Sequence, residues 1–116
     1  MLRQATAICL FVLAATLAAS AHHGWGSYDS TKKLTIEAPI EMAAWQNPHA
    51  HVMLEYENAT WEVTLAPITR MQRRGLSEAM LRTGTVIRAE GYPSTRREHE
   101  MRAERITVAG KVYEMR

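Results

Sequence analysis

The sequence predicts a mainly β fold: a small, OB-like Greek-key barrel of five to six strands with one short helical segment between strands 3 and 4. Apolar and polar residues alternate in several short stretches after residue 33, which is the period of half-buried strands. Residues 67–75 interrupt this alternation with helix-forming residues between a proline and a glycine. Three strands, a helix and further strands follow the order of an OB-fold. An open sheet or a sandwich is the alternative, but closing the sheet protects strand edges that a chain this short could not otherwise cover.

The first predicted strand begins at Leu34 and continues to about residue 45. Every second residue of this stretch is apolar, which puts Ile40 and Met42 on one face and Trp45 on the opposite, more exposed face. Pro39 lacks a backbone N–H and is therefore expected at an edge or a bulge. A strand this long is also expected to bend, as first strands of small barrels do.

The second and third predicted strands form a hairpin. The second covers residues 49–56, with its apolar residues turned to the core and its two histidines on the opposite face. A turn at residues 57–59 leads into the third strand, in which Trp61, Val63 and Leu65 point inward, and the two strands are expected to pair antiparallel. The remaining strands are predicted at residues 85–91, 101–108 and 111–116, with a polar loop at 93–100 and a turn at 109–110.

The first residues of the chain predict export. Arg3 supplies a positive n-region, residues 7–17 form an uncharged apolar stretch, and residues 19–21 form a small-x-small cleavage signal. The apolar stretch is too short to span a bilayer, so we expect cleavage, no stable membrane anchor afterwards, and a periplasmic or secreted protein. The chain then has three parts: a signal peptide at residues 1–21, an N-terminal arm at 22–33 and an OB-like β-barrel domain at 34–116.

Charge and composition exclude several functions. Without the signal peptide, 13 basic residues stand against 12 acidic ones, which gives no support to a nucleic-acid partner. Cys9 is the only cysteine and falls within the signal, so the exported chain has neither a disulfide framework nor a thiol nucleophile. The sequence also lacks a nucleophile-elbow serine, a carboxylate pair in a recognisable context and a glycine-rich phosphate loop, so we expect that the protein is not an enzyme.

Four of the five histidines fall in two short clusters, at residues 22–23 and 49–51. His49 and His51 are alternate residues of one predicted strand, so their rings project to the same side with Cα atoms about 6.5 to 7 Å apart. Two rings at this separation can converge on one metal ion. The alternative is that both histidines are polar residues of an exposed sheet face with no ligand.

The other cluster lies where the signal peptide is expected to end. Cleavage after residue 21 would make His22 the first residue, so that its α-amino group and its ring could chelate a metal together. Cleavage after residue 20 would make His23 the third residue, which favours square-planar copper through backbone nitrogens. Nitrogen-rich coordination is what copper prefers, so copper is the candidate cofactor. Its candidate ligands are His22, His23, His49 and His51, and a solvated terminus is the alternative.

A second candidate surface involves Trp45, Arg96 and Arg97. Trp45 is expected on the more exposed face of its strand, and the two arginines lie in the loop between the last two barrel strands, a loop that often contacts extended ligands in OB-folds. An exported protein partner or a small ligand is the expected occupant. Glu98 and Glu100 offset both arginines, so a solvated charged loop is the alternative.

Several short motifs resemble a family of small exported bacterial proteins known as domain of unknown function 6152. They are Ala21-His22-His23, Trp45-Gln46-Asn47-Pro48-His49, Leu65-Ala66-Pro67, Arg73-Arg74-Gly75-Leu76 and Gly91-Tyr92-Pro93. Members of that family often carry an aromatic residue after the asparagine-proline-histidine motif, whereas this chain has Ala50 and then His51. The resemblance implies a periplasmic or secreted protein and implies no activity.

Two function hypotheses follow. In the first, the chain is an exported periplasmic binding or accessory protein that holds copper through its clustered histidines. In the second, it is a metal-free interaction or small-ligand-binding module of the cell envelope.

Overall fold

A computed structural model describes residues 24–116 of the chain. The predicted signal peptide, together with His22 and His23, lies outside the described residues. Within them the chain forms six strands, which are β1 (Leu34–Ala44), β2 (His51–Tyr56), β3 (Ala59–Thr64), β4 (Val86–Pro93), β5 (Glu100–Val108) and β6 (Lys111–Glu114). One α-helix, α1 (Ile68–Arg73), lies between β3 and β4, and two short 3-10 helices cover Trp25–Ser27 and Glu78–Leu81.

Five of these strands close into a barrel. β1 pairs antiparallel with both β2 and β4, β2 pairs with β3, and β4 pairs with β5. The barrel closes where β3 and β5 pair in parallel, from Glu62 opposite Glu100 to Thr64 opposite Arg102. β6 is the additional strand and pairs with the second half of β5. The predicted OB-like barrel with one helix between strands 3 and 4 is therefore confirmed.

The long first strand changes partners along its length. Residues 34–39 of β1 pair with β4, whereas β1 from Ile40 onward pairs with β2. The register between β1 and β2 shifts between Ile40 and Met42, which marks a β-bulge. Because side chains alternate along a strand, one extra residue exchanges the faces of all residues beyond it.

Two predicted orientations are wrong because of this bulge. Met42 was expected on the face of Ile40, but its side chain lies on the outer face opposite Met53 and is 57% exposed. Trp45 was expected on the more exposed face, but it is partly buried and packs against the core. Ile40, which precedes the shift, is buried as predicted.

The core fills the interior of the barrel. The apolar residues of β2 and β3 face inward in the predicted alternation, and α1 contributes Met71, which is completely buried. The side chains that are both large and fully buried are Ile36, Ile40, Leu54, Leu65, Met71, Leu76, Ile87, Met101, Ile106, Val52 and Val63.

Two turns follow the predicted chemistry. Glu57 and Asn58 join β2 to β3 with φ angles of 48° and 62°, which suits a two-residue hairpin turn. Gly75 has φ +87° just after α1, where a left-handed residue ends the helix. Several strand boundaries differ from the prediction by one or two residues. The difference that bears on the site is that β2 begins at His51 and leaves His49 in the segment before the strand.

Gly91 supports a testable prediction about the barrel. The register of β4 against β5 shifts between Glu90 and Gly91, and a Cβ atom at Gly91 would overlap the backbone carbonyl of Arg102 and lie 2.9 Å from the Cα of Ala103. We expect Gly91→Ala to lower the free energy of unfolding by about 2 kcal/mol or more, because neither strand can move aside without breaking the ladder. Urea denaturation of the variant and of the parent chain measures this difference in the free energy of unfolding. The control is Gly26→Ala, since no atom lies within 4 Å of a Cβ added there. Equal effects of the two substitutions would contradict the prediction.

Candidate functional site

The candidate site lies on the outer face of β1, β2 and β3. In this sheet Met53 is opposite Met42 on one side and Glu62 on the other. His51, two residues earlier in β2, is opposite Ala44 and Thr64 and therefore projects to the same face as Met53. This face contains a cleft of about 220 Å³, which is lined by Met42, Ala44, Gln46, His51, Met53 and Glu62.

His51 is held by two side chains of β3. Its Nδ1 lies 3.1 Å from a carboxylate oxygen of Glu62 and 3.4 Å from the hydroxyl of Thr64. Because the carboxylate accepts a hydrogen bond, it favours the tautomer with the proton on Nδ1. The Nε2 atom of His51 then carries the lone pair that could bind a ligand.

Glu62 is in turn fixed by a chain of charged and polar groups. Arg97 donates to Glu62 at 3.2 Å and contacts Glu100 at 3.3 Å. The hydroxyl of Tyr28 donates to the other oxygen of Glu100 at 3.0 Å. Burial raises the pKa of Tyr28, and the hydrogen bond and charge of Glu100 raise it further. Tyr28 therefore stays a donor at neutral pH, and the chain of contacts connects the arm to the carboxylate that orients His51.

His49 is fixed differently, by the backbone. Its Nδ1 lies 3.0 Å from the carbonyl oxygen of Leu65, and since a carbonyl can only accept, this nitrogen carries the proton. Burial lowers the pKa of His49, the hydrogen bond to Leu65 opposes this, and the charges of Arg102, His51 and Arg70 lower it further. His49 is therefore disposed to be neutral, with its lone pair on Nε2.

The arm packs beside these histidines. Trp25 lies over the guanidinium of Arg102 at 4.4 Å and over that of Arg116 at 4.3 Å. Arg102 is opposite Thr64 in the sheet, and Thr64 is opposite His51. The arm is also held by backbone hydrogen bonds to the β4–β5 loop and the end of β4, from Thr95 to Ser27 and from Asp29 to Pro93. The described chain thus begins on the same barrel face as His51.

The comparisons with known proteins bear on most of this domain. The model of a family of unknown function, DUF6152, matches residues 10–104. The chain belongs to this family. The resemblance of its short motifs is thereby confirmed, and the matched segment contains the arm, strands β1 to β4, the first half of β5 and the cleft. No curated protein matches the chain.

The three residues predicted to form a partner surface have different surroundings in this DUF6152 member. Trp45 packs against the core at the end of β1. Arg97 is engaged by Glu62 and Glu100, and Arg96 is exposed in the same loop. The backbone N–H groups of both arginines donate to the hydroxyl of Ser94 at 3.1 Å, which orders the loop. The guanidinium of Arg97 is therefore paired with two carboxylates.

Only two of the four predicted metal ligands lie within the residues that the structure describes. His49 and His51 lie close enough for their charges to interact, whereas His22 and His23 precede the described part. Within residues 24–116, no group of three or more His, Cys, Asp or Glu side chains could hold a metal ion. No helix in this same range is long and apolar enough to cross a membrane.

Sequence reasoning missed Met42 and Glu62 as members of the site. Glu62 could have been found, because counting outward from the two-residue turn at 57–58 places it opposite Met53 and diagonal to His51. Met42 could not be placed this way. Pro39 and the length of β1 indicated a bulge, but they did not give its position.

The environment of His49 predicts its titration. We expect its ring to take up a proton below the ordinary value of 6.5, which an NMR titration of the imidazole signals measures. Because the folded state disfavours the charged ring, stability is lost as the pH falls through 6.5 toward the folded pKa. His49→Gln should therefore lose less stability than the parent chain over this interval. His99→Asn is the control, since the ring of His99 contacts Trp61 and does not line the cleft. Protonation of His49 at or above 6.5 would contradict the prediction.

Proposed function

We propose that this DUF6152 member is exported, loses residues 1–21 as a signal peptide, and binds copper in the periplasm or outside the cell. It acts as a binding or accessory protein and not as an enzyme. The proposed ligands are His49 and His51 on the barrel, with His22 or His23 from the new N-terminus. The family match covers residues 10–104, which include the two barrel histidines, and implies no activity that conflicts with this role.

The observation that carries the proposal is the hydrogen bonding of the two barrel histidines. A histidine that binds a metal almost always donates its other ring nitrogen to a carboxylate or a backbone carbonyl. The Nδ1 of His51 has the carboxylate of Glu62 and the Nδ1 of His49 has the carbonyl of Leu65. Both rings are therefore oriented with Nε2 as the ligand atom, and the lowered pKa of His49 reduces competition from protons.

The position of the arm supports a contribution from the N-terminus. Trp25 is anchored over Arg102, which is two strands away from His51 in the sheet. Neighbouring strands are about 4.8 Å apart, so this separation is on the order of 10 Å. Two extended residues span about 7 Å, and a histidine side chain adds further reach. The proposal therefore requires the histidine two residues before Trp25, His23, to span this distance.

The donor set favours copper over other metals. Two or three imidazoles and an α-amino group form a nitrogen-rich site, and copper leads the divalent series in affinity for such donors. The predicted exported chain contains no cysteine, since Cys9 falls within the signal, and so lacks the thiolates that structural zinc sites use most often.

Copper binding by the histidines gives a direct test. Titration of the exported protein with Cu(II) against a competing chelator should show one tight site per chain. His49→Gln and His51→Gln should each weaken this site about tenfold or more, because each removes one nitrogen ligand. His99→Gln is the matched control and should leave the affinity unchanged. Binding that survives the loss of both barrel histidines would reject the site, and metal-free protein that purifies with an exported partner would favour the interaction module.

The N-terminus is tested separately by mass spectrometry. The chain is expressed in a bacterial host with residues 1–21 included and recovered from the periplasm or the medium. We expect a mass that begins at His22, or at residue 21 if cleavage falls one residue earlier. A mature chain that begins well after His23 would remove the N-terminal ligands from the proposal. An uncleaved chain retained in the cytoplasm would contradict export.

A further inference from the structure

Two methionine side chains in the cleft have no part in the histidine site. Met42 and Met53 are directly opposite each other on neighbouring strands, on the outer face of the barrel. Met42 is 57% exposed, although a side chain of its size is normally turned to the core. His51 lines the same cleft as the two methionines. The bulge in β1 is what brings these side chains together, because the undisturbed alternation would turn Met42 inward.

The geometry suits convergence on one small ligand. Cα atoms of directly opposite residues in an antiparallel pair are about 4.5 to 5.5 Å apart, and those of alternate residues in one strand are about 6.5 to 7 Å apart. Met42, Met53 and His51 therefore form a compact triangle of Cα atoms. Methionine has three rotatable side-chain bonds, so both sulfur atoms can adjust to a ligand that the fixed ring of His51 also contacts. The cleft of about 220 Å³ has room for an ion.

The chemistry of the donors selects the ion. Thioether sulfur is a soft ligand and prefers Cu(I), whereas Mg²⁺ and Ca²⁺ prefer oxygen donors. Imidazole also binds copper, and the Nε2 atom of His51 is the ring nitrogen left to do so. The carboxylate of Glu62 at the wall of the cleft adds negative charge, although Arg97 offsets part of it. The cleft is thus a soft site with a fixed nitrogen donor.

We propose that Met42, Met53 and His51 bind one Cu(I) ion, through the two sulfur atoms and Nε2. This deepens the proposed function and rests on it for the role of His51. It does not depend on His49 or on the N-terminal histidines. The site lies within the described barrel, and the chain offers separate variants for the sulfur ligands and for the remaining nitrogen ligands.

The test measures Cu(I) and Ag(I) binding by the chain exported from a bacterial host. Cu(I) is kept reduced with ascorbate and titrated against a coloured Cu(I) chelator, and Ag(I) serves as a probe that does not change oxidation state. The double variant Met42→Leu, Met53→Leu conserves side-chain volume and should fold. We expect it to weaken Cu(I) binding about a hundredfold, with an intermediate loss in each single variant. Met80→Leu is the matched control, because Met80 is also exposed but lies outside the cleft.

A second readout keeps the proposal falsifiable if a variant is unstable. Methyl-labelled methionine gives one NMR signal for each residue, and Ag(I) bound to sulfur shifts the methyl signal of its ligand. In the unsubstituted chain we expect the signals of Met42 and Met53 to move together at one equivalent and that of Met80 to stay in place. Equal shifts of all exposed methionines, or Cu(I) affinity that the double variant retains within about twofold, would overturn the site.

The two proposals fail in different ways. Loss of Cu(I) binding in the methionine variants with no effect of His49→Gln on Cu(II) would reject the histidine set and support the sulfur site. The converse result would reject the sulfur site and support the histidine set. His51→Gln should weaken the binding of both Cu(I) and Cu(II) if both sites exist.

Discussion

The divided pairing of β1 is the constraint on which the rest of the barrel depends. A small barrel has to turn its sheet through a closed circle, and β1 does this by pairing with β4 over its first half and with β2 over its second half. The bulge between Ile40 and Met42 allows the strand to bend at this point. The same extra residue turns Trp45 inward to the core and Met42 outward to the cleft. Closure of the fold and composition of the candidate site therefore have one structural cause.

The pair of strands that closes the barrel, β3 and β5, brings two carboxylates together at the candidate site. The parallel pairing of β3 with β5 places Glu62 opposite Glu100, and like charges in this position are destabilising. Arg97 contacts both carboxylates and so offsets their repulsion. It also leaves one oxygen of Glu62 for His51. Arg97 thus lies at the pair of strands that closes the barrel and contacts the same carboxylate that contacts the imidazole of His51.

The parts of the structure that follow from local pattern could be predicted, and those that depend on distant partners could not. Alternation and turn residues were sufficient for the order of the strands along the chain, the helix between Pro67 and Gly75, and the hairpin at residues 57–58. They were not sufficient for the faces of Met42 and Trp45, because the phase of β1 is set by which strand it pairs with at each point. The role of Arg97 was also beyond sequence reasoning, since its partners are 35 residues away in β3 as well as nearby in β5.

His51 occupies the boundary between two kinds of donor on one barrel face. In the two proposals, His49 and the N-terminus would supply nitrogen on one side of it, and Met42 and Met53 would supply sulfur on the other. Its Nδ1 is engaged by Glu62, so Nε2 is the atom that both proposed sites would use, and one nitrogen lone pair can bind one ion at a time. If both proposals hold, Cu(II) in the histidine site and Cu(I) in the methionine site cannot be bound at the same time. The ring of His51 would then bind copper in either oxidation state, and the oxidation state would decide whether the other ligands are nitrogen or sulfur atoms.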